Sequence, residues 1–179
     1  MALKATIFKL NLNIADMDRH YYADHNVTLA RHPSETDLRM MIRIAAFALN
    51  ANEQLSFTKG LSTDEEPELW EKNLSGEIEQ WVELGQPDEK RLRQACGKAK
   101  QVKVYTYQEK SALVWRSQIE TKLRRFNNLQ IVDFIDFDID ELESLAERTM
   151  GLSAVIQDGE LTLSSNNGSL VLPQNKWLG

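Results

Sequence analysis

Three glutamates carry the types and spacing that suggest chemistry. Glu68 follows Pro67, Glu83 comes fifteen residues later near the end of an alternating stretch, and Glu35 stands at the start of an apolar helix. Carboxylates delivered from a strand or turn, a second strand and a helix terminus are the hard oxygen ligands that Mg²⁺ or Mn²⁺ takes. An ion held by them polarises a phosphodiester and lowers the pKa of an attacking water. Such a reaction also uses a nearby cation to orient the nucleophile and offset charge in the transition state. A lysine two places beyond Glu83 would supply that cation, but residue 85 is glycine.

The same acids admit a plainer reading. Asp64 to Glu89 contains ten carboxylates and one base, Lys72, and acid-rich segments are commonly solvated. Glu35 has Arg39 one turn further on, a helical ion pair worth a few tenths of a kcal/mol. Glu79 and Glu83 can pair with the lysines and arginines of the helix that follows them. Spacing alone leaves both readings open.

Charge is segregated along the chain. Against an overall net charge of −6, residues 60–89 carry net −9, residues 90–125 net +9 (eleven bases against Glu109 and Glu120) and residues 126–160 net −8. Either oppositely charged elements pack side by side, or an acidic pocket has a basic rim that guides a phosphate backbone. The net negative charge argues against a general nucleic-acid binder.

The elements that must position these side chains follow from periodicity. Residues 3–14 alternate as a strand, with Leu10, Leu12 and Ile14 on one face, and Tyr21 to Ala30 can return antiparallel. Ser34 is the expected helix N-cap, with Asp37 completing a capping box. The helix it opens is apolar on all but the strip of Glu35, Arg39 and Arg43, which predicts burial against a sheet. Glu77–Leu84 alternates as a strand, and Gly85-Gln86-Pro87 breaks it. Asp88 caps a helix with the stripe Leu92, Ala95, Cys96 and Ala99. A strand from Val102, a helix through Ala112, Trp115, Ile119, Leu123 and Phe126, and a strand over Leu129–Ile135 complete a run of parallel neighbours with right-handed crossovers. A last helix begins near Asp138, and Asp158-Gly159 and Asn167-Gly168 signal hairpins in the tail. The expectation is one α/β domain over residues 1–179: a mixed sheet flanked by helices, with antiparallel strands at both chain ends.

Other chemistries find little support. The chain has 179 residues, enough for a full core, and its longest apolar-rich run, Leu38 to Leu49, is too short to span a bilayer. A single cysteine, Cys96, and a strand-like N-terminus without signal-peptide features fit a cytoplasmic protein. His20, His25 and His32 lack the spacing of a zinc site, and His32-Pro33 reads as a turn before the helix. Dinucleotide and P-loop patterns are absent.

Longer motifs carry a resemblance. HPSETDLRMMIRIAAFAL, FTKGLSTDEEPELW, GEIEQWVELGQPDEKRLRQA and QVKVYTY closely resemble the bacterial YaeQ family, as do MALKATIFK at the N-terminus and RTMGLSAVIQDG near the end. The resemblance implies a variant of the PD-(D/E)xK restriction-endonuclease-like fold. Under it, Pro67-Glu68 takes the "PD" place and Glu83 the acid of "(D/E)xK". Glu35 resembles a helical glutamate found in many superfamily members. Gly85 departs from the motif, and Arg91 or Lys110 is the candidate to stand in for its lysine. Arg91 would act as a phosphate clamp, because arginine is too weak an acid to serve as a base. Two functions follow as expectations. One is a Mg²⁺- or Mn²⁺-dependent nuclease-like protein with Glu68 and Glu83 as metal ligands and Glu35 assisting. The other is a catalytically inactive module binding nucleic acid or a protein partner.

Overall fold

The structure is a computed structural model, which describes residues 4–59 and 65–179. Leu3, in the first predicted strand, and Asp64, which opens the acidic stretch, lie outside the described residues. In chain order the elements are β1 (Thr6–Asp16), β2 (Tyr21–Arg31), α1 (Asp37–Asn50), β3 (Leu55–Phe57), β4 (Leu69–Lys72), β5 (Ile78–Leu84), α2 (Glu89–Lys98), β6 (Ala99–Thr106), α3 (Glu109–Leu123), β7 (Leu129–Phe134), α4 (Ile139–Glu143), β8 (Thr149–Gln157), β9 (Glu160–Ser165), β10 (Gly168–Leu172) and β11 (Gln174–Leu178). They form two mixed sheets where periodicity suggested one. Periodicity shows which face of a strand is buried, but not which distant strand pairs with it. The chain divides into two compact units, Met1–Asn50 with Asp136–Pro173, and Ala51–Ile135 with Gln174–Gly179.

In the first unit the sheet order is β10-β9-β8-β1-β2. β1 alternates as its sequence demands: Phe8, Leu10, Leu12 and Ile14 are buried, while Lys9, Asn11 and Asn13 are exposed. It pairs antiparallel with β2 and parallel with β8, from which it is separated by more than a hundred residues. β8 and β9 join through Asp158-Gly159, whose φ angles of 53° and 78° are those of the predicted two-residue turn. The next turn differs: Gly168 already pairs with Ser165, so its loop is Asn166-Asn167. The buried face of the sheet receives α1 against β8 and β9, with α4 packed on α1 and β10.

α1 starts two residues later than the capping-box pattern implied. The Glu35 amide donates to the His32 carbonyl at 2.8 Å and closes a turn, in which the Ser34 amide bonds His32 Nδ1 at 3.1 Å. Thr36 is the working cap: its Oγ1 accepts from the Arg39 amide at 3.1 Å and its carbonyl from Met40 at 3.1 Å. Asp88 and Asp138 cap α2 and α4 as predicted, accepting from the amides of Arg91 and Glu141. None of the described helices is long and apolar enough to cross a membrane.

In the second unit the order is β11-β7-β6-β5-β4-β3. β3, β4 and β5 are antiparallel; β5, β6 and β7 are parallel and joined by α2 and α3; β11 returns antiparallel to β7. The two parallel steps run in the same direction, and α2 and α3 pack on one face of the sheet, the arrangement that right-handed crossovers produce. Between them and the sheet lie Trp81, Leu92, Ala95, Val102, Val104, Trp115, Ile119, Leu123, Leu129 and Ile131. The Trp115 indole donates to the Pro87 carbonyl at 2.9 Å, tying α3 to the β5–α2 connection.

Thr36→Ala should lower stability by about 1 kcal/mol, the usual worth of a side-chain cap. Ser34→Ala should leave urea unfolding almost unchanged. A larger loss at Ser34 than at Thr36 would contradict this assignment of the cap.

Candidate functional site

The acids of the second unit meet because β4 and β5 are antiparallel. Leu69 pairs with Val82, so the next step of the ladder sets Glu68 across from Glu83. The Glu68 amide donates to the Val82 carbonyl at 3.0 Å, and the Glu68 carbonyl accepts from the Thr58 amide at 3.2 Å. Thr58 Oγ1 also donates to the Pro67 carbonyl, which fixes the entry to β4. One step the other way Trp70 pairs with Trp81, their rings edge to face at 6.4 Å. Lys72 Nζ lies 3.9 Å from the Trp70 ring centroid. Both acids are buried, Glu68 at 6% and Glu83 at 5% exposure.

Glu83 is held from two sides. Its Oε1 accepts from Trp81 Nε1, two residues back on the same strand face, at 2.8 Å. It also accepts from Arg91 Nε at 2.8 Å, while Arg91 Nη2 donates to the Glu66 carbonyl at 3.0 Å. Asp88 makes this possible: by capping α2 it sets Arg91 in the first turn, above the end of β5. Burial raises the Glu83 carboxyl above the ordinary carboxylate range. Arg91 and Trp81 pull it back down, and the charge of Glu68 adds to the rise. Burial wins.

Gly85 occupies the place of the motif's lysine, with φ of +87°. A Cβ built there meets no atom within 4 Å, so space is available and backbone conformation is the obstacle. A side chain in this left-handed region costs roughly 1–2 kcal/mol. The Gly85 amide donates to the Tyr105 carbonyl at 2.9 Å, and the ladder sets it beside Thr106 and then Asp133. Thr106 Oγ1 donates to Asp133 Oδ1 at 2.6 Å, and Trp177 Nε1 donates to the same oxygen at 3.1 Å. Both residues are buried at the C-terminal ends of parallel strands, where α/β sheets commonly place functional groups. Sequence reading missed them, although an acid inside the apolar run LQIVDF was a usable signal.

Lys110 and Glu35 are placed differently. Lys110 is exposed on the first turn of α3 and makes no ion pair among the described residues, so of the two candidates it is Arg91 that engages Glu83. Glu35 belongs to the first unit. Its Oε2 accepts from Arg39 at 2.6 Å and its Oε1 from Arg43 at 2.8 Å. Arg43 also donates to the Ala30 carbonyl at 3.2 Å, so Glu35 ties α1 to the end of β2.

Arginines compete with a divalent ion at two of the three expected acids, Glu35 and Glu83. Mg²⁺ and Mn²⁺ need several oxygen ligands that are not already neutralised. Both oxygens of Glu35 bind arginines, and Oε1 of Glu83 is shared by a guanidinium and an indole. No group of three His, Cys, Asp or Glu among the described residues is arranged to hold a metal. At Glu83 the neighbouring cation is Arg91.

The YaeQ family model matches residues 1–173. The chain belongs to the YaeQ family. It is 44% identical to YaeQ of Escherichia coli (strain K12) over 177 residues, covering 99% of this chain and 98% of that protein. YaeQ of Salmonella typhi matches at the same identity and coverage. The crystal structure of YaeQ from Xanthomonas axonopodis pv. citri superposes with a TM-score of 0.94 at 39% identity, covering 98% of this chain and 99% of that one. YaeQ from Pseudomonas syringae gives 0.90 at 33% identity, covering 98% and 97%. The mixed α/β architecture with two sheets is therefore the YaeQ fold.

Carboxyl ¹³C titration should place the Glu83 pKa above that of a solvated glutamate. Arg91→Ala removes the largest influence lowering it, so the midpoint should rise further and stability should fall by about 2 kcal/mol. The sign follows from linkage. A carboxyl with a raised folded-state pKa binds its proton more tightly when folded, so the variant's deficit should shrink as pH falls through that midpoint. A Glu83 midpoint unmoved by Arg91→Ala would contradict the coupling.

Proposed function

We propose that the second unit is a restriction-endonuclease-like core that has given up metal-dependent cleavage and binds a nucleic-acid backbone. Supporting the fold reading are three antiparallel strands, β3–β4–β5, followed by a crossover helix and parallel β6, with Glu68 and Glu83 on facing strand positions. The observation that carries the loss of cleavage is the Arg91–Glu83 bond beside a glycine whose backbone disfavours lysine.

The binding surface is the solvent side of α2 and α3. Glu89 is bound by Arg93 and Arg125, and Glu120 by Arg116 and Arg124. Two arginines on each acid leave a positive charge per cluster. The side chains of Arg93, Arg124 and Arg125 are 54%, 67% and 57% exposed against 27% for each acid, so the positive groups face outward. Lys90, Lys98, Lys110 and Lys122 are exposed on the same two helices. Charge pairing inside the segment thus coexists with a basic exterior suited to phosphates.

Fluorescence anisotropy with single- and double-stranded DNA and RNA should show affinity that falls steeply with salt. Charge removal at Arg124 and Arg125 should lower the log–log salt slope by about one unit per arginine. Incubation with Mg²⁺ or Mn²⁺ should leave the oligonucleotides intact. Salt-insensitive or absent binding would sink the proposal. Cleavage abolished by Glu68→Ala and Glu83→Ala would establish the nuclease reading in its place.

A further inference from the structure

The four sheet edges are not alike. β3 has three residues, β10 five, and β11 five with a register irregularity beside Lys176. Short, bulged or lysine-bearing edges are the usual protection against unwanted strand pairing. β2 has none of these features. It runs eleven residues in unbroken register with β1, without proline or lysine, and has no second strand neighbour among the described residues.

The direction of its free backbone groups follows from its neighbours. The Lys9 amide donates to the Arg148 carbonyl and the Met17 amide to the Ile156 carbonyl, both at 2.8 Å. Alternate residues of a strand point their backbone groups to opposite sides, so odd-numbered residues of β1 face β8 and even-numbered ones face β2. Across from Phe8, Leu10, Leu12 and Ile14 stand Leu29, Val27, His25 and Ala23. The even-numbered residues of β2 therefore direct their N–H and C=O groups away from the sheet. The Ala30 carbonyl is taken by Arg43. Tyr22, Asp24, Asn26 and Thr28 are left, and their positions are symmetric about His25.

We propose that β2 pairs antiparallel with β2 of a second copy of the chain, across a two-fold axis at His25. Tyr22 then lies opposite Thr28 of the second copy and Asp24 opposite Asn26, so all four outward N–H groups and all four carbonyls are satisfied. The contact with Arg43 at Ala30 stays intact. Like charges do not face each other, since Asp24 meets a neutral amide, and the 62%-exposed Tyr22 gains cover. On the inner face Ala23 and Val27 are only partly buried although their β1 partners Ile14 and Leu10 are fully so. The second copy places Ala23 against Val27 and closes that gap. The pairing of Asp24 with neutral Asn26, and of small Ala23 with larger Val27 on the half-buried inner face, favours a second copy over an unrelated extended peptide.

Sedimentation equilibrium should give a dimer mass for the wild type and for Thr28→Ala. Thr28→Pro removes one outward N–H without touching the β1 ladder, and should shift the protein to monomer while far-UV circular dichroism stays unchanged. In a Cys96→Ser background, spin labels on Thr28→Cys should report a separation of roughly 20 Å, six residues of strand rise. A monomeric wild type at all concentrations overturns the proposal. So does a folded Thr28→Pro variant that stays dimeric, or a dimer whose labels lie much farther apart.

Discussion

The candidate site is organised by one charge-assisted hydrogen bond, from Arg91 to Glu83. A carboxylate buried at the end of a central strand costs several kcal/mol unless a partner meets it. Here Trp81 and Arg91 are the partners. Arg91 can reach because Asp88 starts α2 where it does, and α2 starts there because Gly85 turns the chain out of β5 through a left-handed step. Its second bond, to the Glu66 carbonyl, fixes the segment leading into Glu68. The residue that settles the electrostatics of the site is thus also a brace between α2, β5 and the approach to β4.

Guanidinium pairing recurs beyond Glu83. Glu35 is bound by two arginines in the first unit, and Glu89 and Glu120 by two each on the helices of the second. The consequences differ with burial. Around Glu35 the bonds are largely dry and hold α1 to β2, whereas on α2 and α3 they are exposed and contribute little stability. What the exposed clusters provide is a surface whose outermost groups are positive, on a chain whose net charge is −6.

The sequence was most legible where local rules act alone. The alternation of β1, the caps Asp88 and Asp138, the parallel run β5–α2–β6–α3–β7 and the Asp158-Gly159 turn all follow from short-range patterns. The division into two sheets was not legible, because the β1–β8 pairing joins strands far apart in the chain. The α1 cap was misjudged because Ser34 is diverted into a turn with His32, leaving Thr36 to cap. At the site, spacing left the roles of Glu68 and Glu83 open and the family resemblance pointed to Arg91 or Lys110; the β4–β5 ladder is what sets the two acids opposite each other. The Thr106–Asp133 bond escaped because it joins strand ends that only the ladder brings together.

The central claim is that Arg91 holds Glu83 in place of a divalent cation. Mn²⁺ titration followed by electron paramagnetic resonance tests it most directly, since free and protein-bound Mn²⁺ give different spectra. The account predicts that the wild-type protein leaves Mn²⁺ free at every ratio tested. Stoichiometric uptake by the wild type that disappears in both Glu68→Ala and Glu83→Ala would contradict it.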